Sequence, residues 1–434
     1  MKRRRFIGTV GAGALMGTGL AACGQQGQQD STNAAGSKSG QGKVHEWRMV
    51  TTWPKNFPGL GTGANYLADL ITRLSGGRIN VKVYGAGELV DAFGIFDLVS
   101  EGGAELGHGA AYYWKGKSRA AQFFAAVPFG FTAQEINAWF YHGGGMELWQ
   151  EVYEPFGLYP MAAGNTGVQM GGWFNREINS VEDLQGLKMR IPGLGGEVLK
   201  RAGGTPVSLP GGEIFTSLET GAIDATEWVG PYNDLAFGLH KAARHYYYPG
   251  WHEPGSCLEC FVNKQALEQL PQELQEIVIH AGRLANQDML AEFTARNNKA
   301  LQTLVDEHNV DLRKFPDEVL KRLRELSDEV VGEIAEADEQ SRKVYESFVK
   351  FRDDVQAWHD ISERAYLNAR ASGSATGDGP GKSELHGAYD GLVAQFDEKH
   401  AGFGQNQKFP SPHNLIYLLR YWHRTDKEKA LSMV

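Results

Sequence analysis

The sequence predicts an α/β protein of more than one domain, on three observations. Between His45 and Ser100, short alternating apolar runs exchange with segments of helical apolar spacing. That βαβα rhythm points to a largely parallel sheet. The 434 residues suffice for two or three domains with ample core. Beyond Asn263 the strand signals thin out and long amphipathic helical stretches take over.

Residues 1–22 read as a leader. Arg3, Arg4 and Arg5 precede Phe6 and Ile7, and a Gly- and Ala-rich, weakly apolar stretch follows, as in a twin-arginine signal. The run is too short and Gly-rich for a transmembrane helix. Leu20-Ala21-Ala22 before Cys23 has the small-residue pattern of a bacterial lipoprotein cleavage site, with Cys23 as the lipidated residue. Residues 23–43 then form a Gly/Ser/Gln-rich tether that cannot offset its ordering entropy by burial. Anchor, tether and compact body describe an extracytoplasmic protein held at a membrane face. Loss of the leader removes Lys2 and the three arginines, taking the formal charge from −9 to −13. So acidic a body argues against nucleic acid as a partner. A small anion stays open, because one local arginine decides that.

The body opens with a strand over His45 to Trp53, a helix over Ala64 to Leu74, a strand over Ile79 to Tyr84 and a helix over Phe93 to Ser100. A further strand, Ala104 to His108, leads into Tyr112, Tyr113 and Trp114. Ligands of such sheets sit outside the carboxyl ends of the strands, where these aromatics offer an apolar wall and a phenol donor. Their other reading is ordinary aromatic core. Residues 125–145 are a loop and a helix; His142 beside three glycines marks the helix end rather than a metal site.

The stretch from Gly164 to Arg190 is the centre of the reading. It starts in an amide-rich bend (Asn165, Thr166, Gly167) and runs on as a strand from Val168 to Phe174. A turn with Ser180 as N-cap before Asp183 follows, and a second strand ends on Arg190. An arginine's fork of donors fits a carboxylate bidentately, although an arginine at a strand end is commonly a surface charge. Helices over 195–202 and 213–220 come next, and GAIDATEWVGPY sets Asp224, Glu227 and Trp228 on a strand and its exit. The run Tyr246-Tyr247-Tyr248 leads to Glu253. Gln169, Glu227, Glu253 and a carbonyl near Trp228 are hard oxygen donors, and with no imidazole or thiolate among them they suit Na⁺ or Ca²⁺ rather than zinc. Two buried glutamates without a cation would be costly. Cys257 and Cys260 lie three apart on a strand, SCLECFVNK, and so face opposite sides as buried thiols rather than a disulfide or zinc pair.

Four motifs in order, NTGVQMGGWF, DLQGLKMRIPG, GAIDATEWVGPY and YYYPGW, resemble the solute receptors of TRAP transporters. The resemblance is to the DctP type, and in it to the branch that binds 2-oxo monocarboxylates such as pyruvate. It runs from about Trp47 to about Tyr366. It implies a two-lobed, periplasmic-binding-protein-like fold with a long bracing helix. Lobe 1 then spans 44–165, completed by about 254–300, and lobe 2 spans 166–253, completed by about 301–345. It implies that Gln169, Glu227, the Trp228 carbonyl and Glu253 hold a cation, that Arg190 pairs with the ligand's carboxylate, that Asn165 hydrogen-bonds it and that Tyr113 reaches it. Its partners would be a small organic acid and TRAP membrane subunits, with no organic cofactor and no catalysis. The residues by themselves also admit a metal-dependent hydrolase or lyase, or a binding protein serving a sensor.

The rest is helical: Ala266 to Leu270, then about Glu273 to Glu307, long enough to reach on the order of 45 Å. A strand over Asp311 to Phe315 follows, a helix from Pro316, and one long helical reach from Asp338 to Arg370, of which 346–370 is the C-terminal helix. Some relatives dimerise by exchanging such a helix, so a homodimer stays open. Residues 371–382 are a linker, and 383–434 form a tail outside the resemblance. Its amphipathic helix, with Leu415, Leu418, Leu419 and Trp422, is expected to dock on the body or a dimer mate rather than on a membrane.

Overall fold

The computed structural model describes residues 43–373, 382–404, 412–425 and 427–434. The leader, Cys23, nearly all of the tether and most of the 371–382 linker lie outside the described residues.

Among the described residues, eleven strands make two sheets. In chain order they are β1 (His45–Thr51), β2 (Ile79–Tyr84), β3 (Leu106–Gly109), β4 (Leu158–Asn165), β5 (Gly172–Phe174), β6 (Lys188–Arg190), β7 (Thr205–Val207), β8 (Ala225–Thr226), β9 (His245–Tyr248), β10 (Cys257–Asn263) and β11 (Asp311–Lys314). The first sheet has the order β2-β1-β3-β10-β4 and the second β11-β9-β5-β8-β6-β7. This is the two-lobed α/β fold that the sequence predicts. The sheets are mixed rather than simply parallel: β10 runs against β3 and β4, and β5 against β8 and β9. Both are the strands by which the chain changes sheet. A segment that leaves one sheet at its carboxyl edge and enters the other at the facing carboxyl edge must run against its new neighbours.

Helix Leu60–Leu74 and the first half of helix Gln272–Gln302 cover one face of the first sheet, through Met49, Leu67, Ile71, Met161 and Val278. Its other face joins an aromatic core of Phe96, Trp114, Phe124, Trp139 and Trp149, which continues to Trp173 and Tyr246 of the second sheet. The far face of the second sheet packs Phe174, Met189 and Tyr247 on helix Asp317–Ala335 through Phe315, Val319 and Leu323. Helix Gln272–Gln302 has 31 residues, about 45 Å. Beyond its contacts with the first sheet, Asn297 accepts the Tyr232 N–H at 3.0 Å and Glu292 accepts the Tyr232 hydroxyl at 3.1 Å, tying it to helix Pro231–Phe237. It braces both lobes. A π-helical turn, Thr303–Glu307, ends it.

Other elements differ from expectation. The strand read over 168–174 survives only as β5, because Gly167 turns the chain at φ 69° and the Gln169 backbone bonds to Glu253 and Gly250 instead of a strand neighbour. The helical reach after Asp338 breaks at Ser362 (φ −108°, ψ −95°) into Glu339–Ile361 and Glu363–Gly373. Cys257 and Cys260 are free buried thiols that pack in different cores. The tail forms its own small core of Tyr389, Leu418, Tyr421, Ala430 and Met433. Leu418 is buried as expected, but Leu419 stays 39 % exposed, because helix Pro412–Thr425 turns Leu418 and Tyr421 toward helix Lys382–Gln395.

Candidate functional site

The carboxyl ends of strands from both sheets meet at one place. Arg190 closes β6, Glu227 and Trp228 follow β8, the turn 249–253 follows β9, and Tyr113 follows β3. Two glycines permit the close approach. Gly172 sits at φ 118°, where a Cβ would lie 2.5 Å from the Thr226 carbonyl oxygen. At Gly250 a Cβ would lie 2.2 Å from the Gln169 carbonyl oxygen, so only glycine lets the turn after β9 press against Gln169.

Arg190 is 1 % exposed. Its Nη1 donates to the Glu227 Oε1 and, at 3.3 Å, to the Glu227 carbonyl. Its Nε donates to the Leu209 carbonyl at 3.2 Å and its Nη2 to the Tyr113 hydroxyl at 3.3 Å. The guanidinium lies over the Trp228 ring, 5.0 Å from the centroid. Burial, the largest single influence, lowers its pKa, but Glu227, Tyr113, Tyr112 and Glu253 together outweigh it and hold the guanidinium above the ordinary arginine value.

Gln169 and Glu253 form the other half. The Gln169 Nε2 donates to the Glu253 Oε2 at 2.8 Å and to the Thr166 Oγ1 at 3.2 Å, while its Oε1 is buried without a partner. Burial first, then the neighbouring Glu227 charge, pushes the Glu253 carboxyl well above the usual range. His252 joins them, its Nε2 3.4 Å from the Glu227 Oε2 and its Nδ1 without a partner. Glu227, His252 and Glu253 each offer a ligand atom within 4.8 Å of the others. A small space beside Arg190 and Gln169, bounded also by Trp53, Tyr112, Tyr113 and Trp228, leaves only about 10 Å³ for the centre of a water molecule. That is room for about one water. Clefts of about 660 and 1010 Å³ lie elsewhere and include none of the predicted site residues.

Arg190, Tyr113, Gln169, Glu227, Trp228 and Glu253 thus come together. Asn165 lies behind them at the end of β4. Its Oδ1 accepts the Gly167 N–H at 2.8 Å and its Nδ2 donates to the Gly255 carbonyl at 3.3 Å, so its amide closes the turn. The expectation that no imidazole joins the acids is corrected by His252. Its signal was its place beside Glu253 in an irregular PGWHEPG turn, where no period sends successive side chains to opposite faces.

The model of the DctP family, described as bacterial extracellular solute-binding protein, family 7, matches residues 49–338. The chain belongs to that family. A monocarboxylate 2-oxoacid-binding periplasmic protein of Nostoc sp. is 43 % identical over 374 residues, 86 % of this chain and 100 % of the relative. A TRAP periplasmic solute-binding protein of Pseudoalteromonas atlantica, solved with bound sodium and pyruvate, is 45 % identical, with a TM-score of 0.73 over 75 % of this chain and 99 % of its own. One from Colwellia psychrerythraea, solved with bound calcium and pyruvate, is 44 % identical, with a TM-score of 0.73 over 75 % and 100 %. This family member is therefore similar over three quarters of its length to proteins solved with pyruvate and bound sodium or calcium.

Proposed function

We propose that this chain is the extracytoplasmic receptor of a TRAP transporter and captures a small 2-oxo monocarboxylate together with Na⁺ or Ca²⁺. The observation that carries the reading is the convergence of a buried arginine and two buried glutamates at the facing carboxyl edges of two sheets, with the Gln169 Oε1 unspent. The relatives that bind pyruvate with sodium or calcium support it. Arg190 takes the carboxylate, Tyr113 adds a phenol at the same end, and Trp53 and Trp228 wall off water.

The donor set fits a hard cation: two carboxylates, an amide oxygen without a partner, and little room for water. Gln169, Glu227, the Trp228 carbonyl and Glu253 are the residues that would hold it. A bound cation compensates two buried negative charges and supplies a point of attachment for the oxo-acid's oxygens. With the space this small, a ligand enters only when the lobes part, and closure over it is the signal to the membrane subunits. The chain does no covalent chemistry in this reading. Cys23 is its lipid anchor and residues 1–22 its leader; 44–165 with about 254–300 and 166–253 with about 301–345 are the moving bodies.

A thermal-shift panel tests the ligand class: pyruvate and longer 2-oxo acids against matched 2-hydroxy acids and dicarboxylates, each at 1 mM. The 2-oxo acids should raise Tm; ligand at 100 times Kd adds about 3 kcal/mol. A shift with dicarboxylates and none with 2-oxo acids would move the substrate class.

A further inference from the structure

We infer that His252 is a positioning residue that holds Glu227 when Arg190 turns from it to a bound carboxylate. The inference rests on the reading of Arg190 as the carboxylate clamp and goes beyond it to how that clamp is released.

A bidentate grip needs two parallel N–H groups from one edge of the guanidinium. The Arg190 Nε is tied to the Leu209 carbonyl, which leaves the edge formed by Nη1 and Nη2. Nη1 is now spent on Glu227 and Nη2 on Tyr113. The donors that a ligand needs are those that satisfy Glu227. Tyr113 is partly exposed and gives way without penalty, whereas Glu227 is fully buried. Even with a bound cation offsetting its charge, a buried carboxylate that loses a donor carries a desolvation cost that opposes the exchange.

Among the described residues, the only other donor facing the Glu227 carboxylate is His252, whose Nε2 stands 3.4 Å from Oε2, long for a made hydrogen bond and close enough to become one. The side chain is 1 % exposed, its Nδ1 has no partner, and its ring stands edge-to-face with Trp251, centroids 5.4 Å apart. No hydrogen bond holds the imidazole elsewhere. The arrangement parallels the other acid, where the neutral Gln169 amide already donates to Glu253 at 2.8 Å. Each carboxylate thus faces one donor besides the arginine: Gln169 for Glu253 and His252 for Glu227. Donation from Nε2 requires a proton on that nitrogen.

Two experiments test this. Affinity for pyruvate in saturating Na⁺ is measured calorimetrically for the wild type, His252→Leu and His252→Gln. Loss of a donor to a charged group should weaken H252L about 10- to 100-fold, while H252Q, whose amide can donate from nearly the same point, should stay within about 3-fold of wild type. In the wild type, ¹H–¹⁵N spectra of the imidazole groups should show the His252 Nε2 proton moving downfield when pyruvate is added, a readout that needs no variant to fold. Equal affinity in H252L, equal loss in both variants, or an unmoved Nε2 proton overturns the inference while leaving the receptor reading intact. A wild type that binds no 2-oxo acid in any cation overturns that reading, and this inference with it.

Discussion

The molecule buries two kinds of carboxylate, and they are built differently. Glu259 and Asp234 sit in the aromatic core. Glu259 accepts the Trp114 indole N–H and, at 2.8 Å, the Tyr153 hydroxyl. Asp234 accepts the Tyr246 hydroxyl at 2.7 Å and the Trp173 indole N–H at 3.0 Å. Neutral donors satisfy both, and burial pushes the first up to about 8 and the second to about 7. Glu227 and Glu253 are as deeply buried, yet they stand beside a cation, beside each other, and among polar atoms left without partners: the Gln169 Oε1, His252 Nδ1 and Trp228 Nε1. A structural acid is finished by its neighbours. Under the proposed function, Glu227 and Glu253 are left unfinished for a ligand and cation, whose arrival recovers the cost.

The sharpest way to break this contrast is Arg190→Met. It should weaken 2-oxo acid binding by at least about 100-fold and destabilise the fold by about 3–5 kcal/mol, because Glu227 is left as an unpaired buried charge. Denaturant unfolding and calorimetry read the two effects separately, and wild-type affinity in R190M would place the ligand elsewhere. Next comes Glu253→Gln, which removes a carboxylate but keeps the shape. It should lower cation affinity by about 10-fold or more, measured as the Na⁺ or Ca²⁺ concentration that half-restores pyruvate binding.

Glu259→Gln should do the opposite, leaving pyruvate affinity within about 2-fold while changing the pH profile of stability. The folded-state pKa of Glu259 lies above the unfolded value, so between about pH 4.5 and 8 the folded chain keeps a proton that the unfolded chain has released. Stability therefore falls as pH rises through that window, by on the order of a few kcal/mol. E259Q, with no proton to lose, should flatten that slope; an unchanged slope would show that the core acid is ionised. The smallest effect belongs to Lys115→Ala, which removes an exposed 2.8 Å pair with Glu197 across the lobes. It should cost under about 1 kcal/mol in stability and only a few-fold in affinity.

The same contrast explains what the sequence made legible. Strand and helix periodicity locates most elements, and the hard-donor composition of Gln169, Glu227 and Glu253 by itself points to a cation. Pairings were not legible. Nothing local says that Gln169 donates to a carboxylate 84 residues away, or that Arg190 spends Nη1 on Glu227, 37 residues on. The resemblance implies a ligand contact for Asn165, but an amide in a Gly-rich bend serves a ligand or its own backbone equally well, and here it bonds Gly167 and Gly255. Val168 reads as strand by alternation, but the left-handed Gly167 sends it 59 % exposed into solvent. The tail's core escaped notice because Tyr389 and Tyr421, whose rings stack 4.4 Å apart, belong to helices separated by a long, polar, Gly-containing stretch.

The central claim, that the unfinished acids are completed by a cation and a 2-oxo acid together, is tested most directly by calorimetric titration of the mature body with pyruvate. The titration is run after chelation and dialysis into cation-free buffer, and again with Na⁺ or Ca²⁺ restored. The account predicts one site of micromolar or tighter affinity that appears only with the cation. Equal binding with and without it would contradict the roles given to Gln169, Glu227 and Glu253, and no binding in either buffer would contradict the choice of ligand.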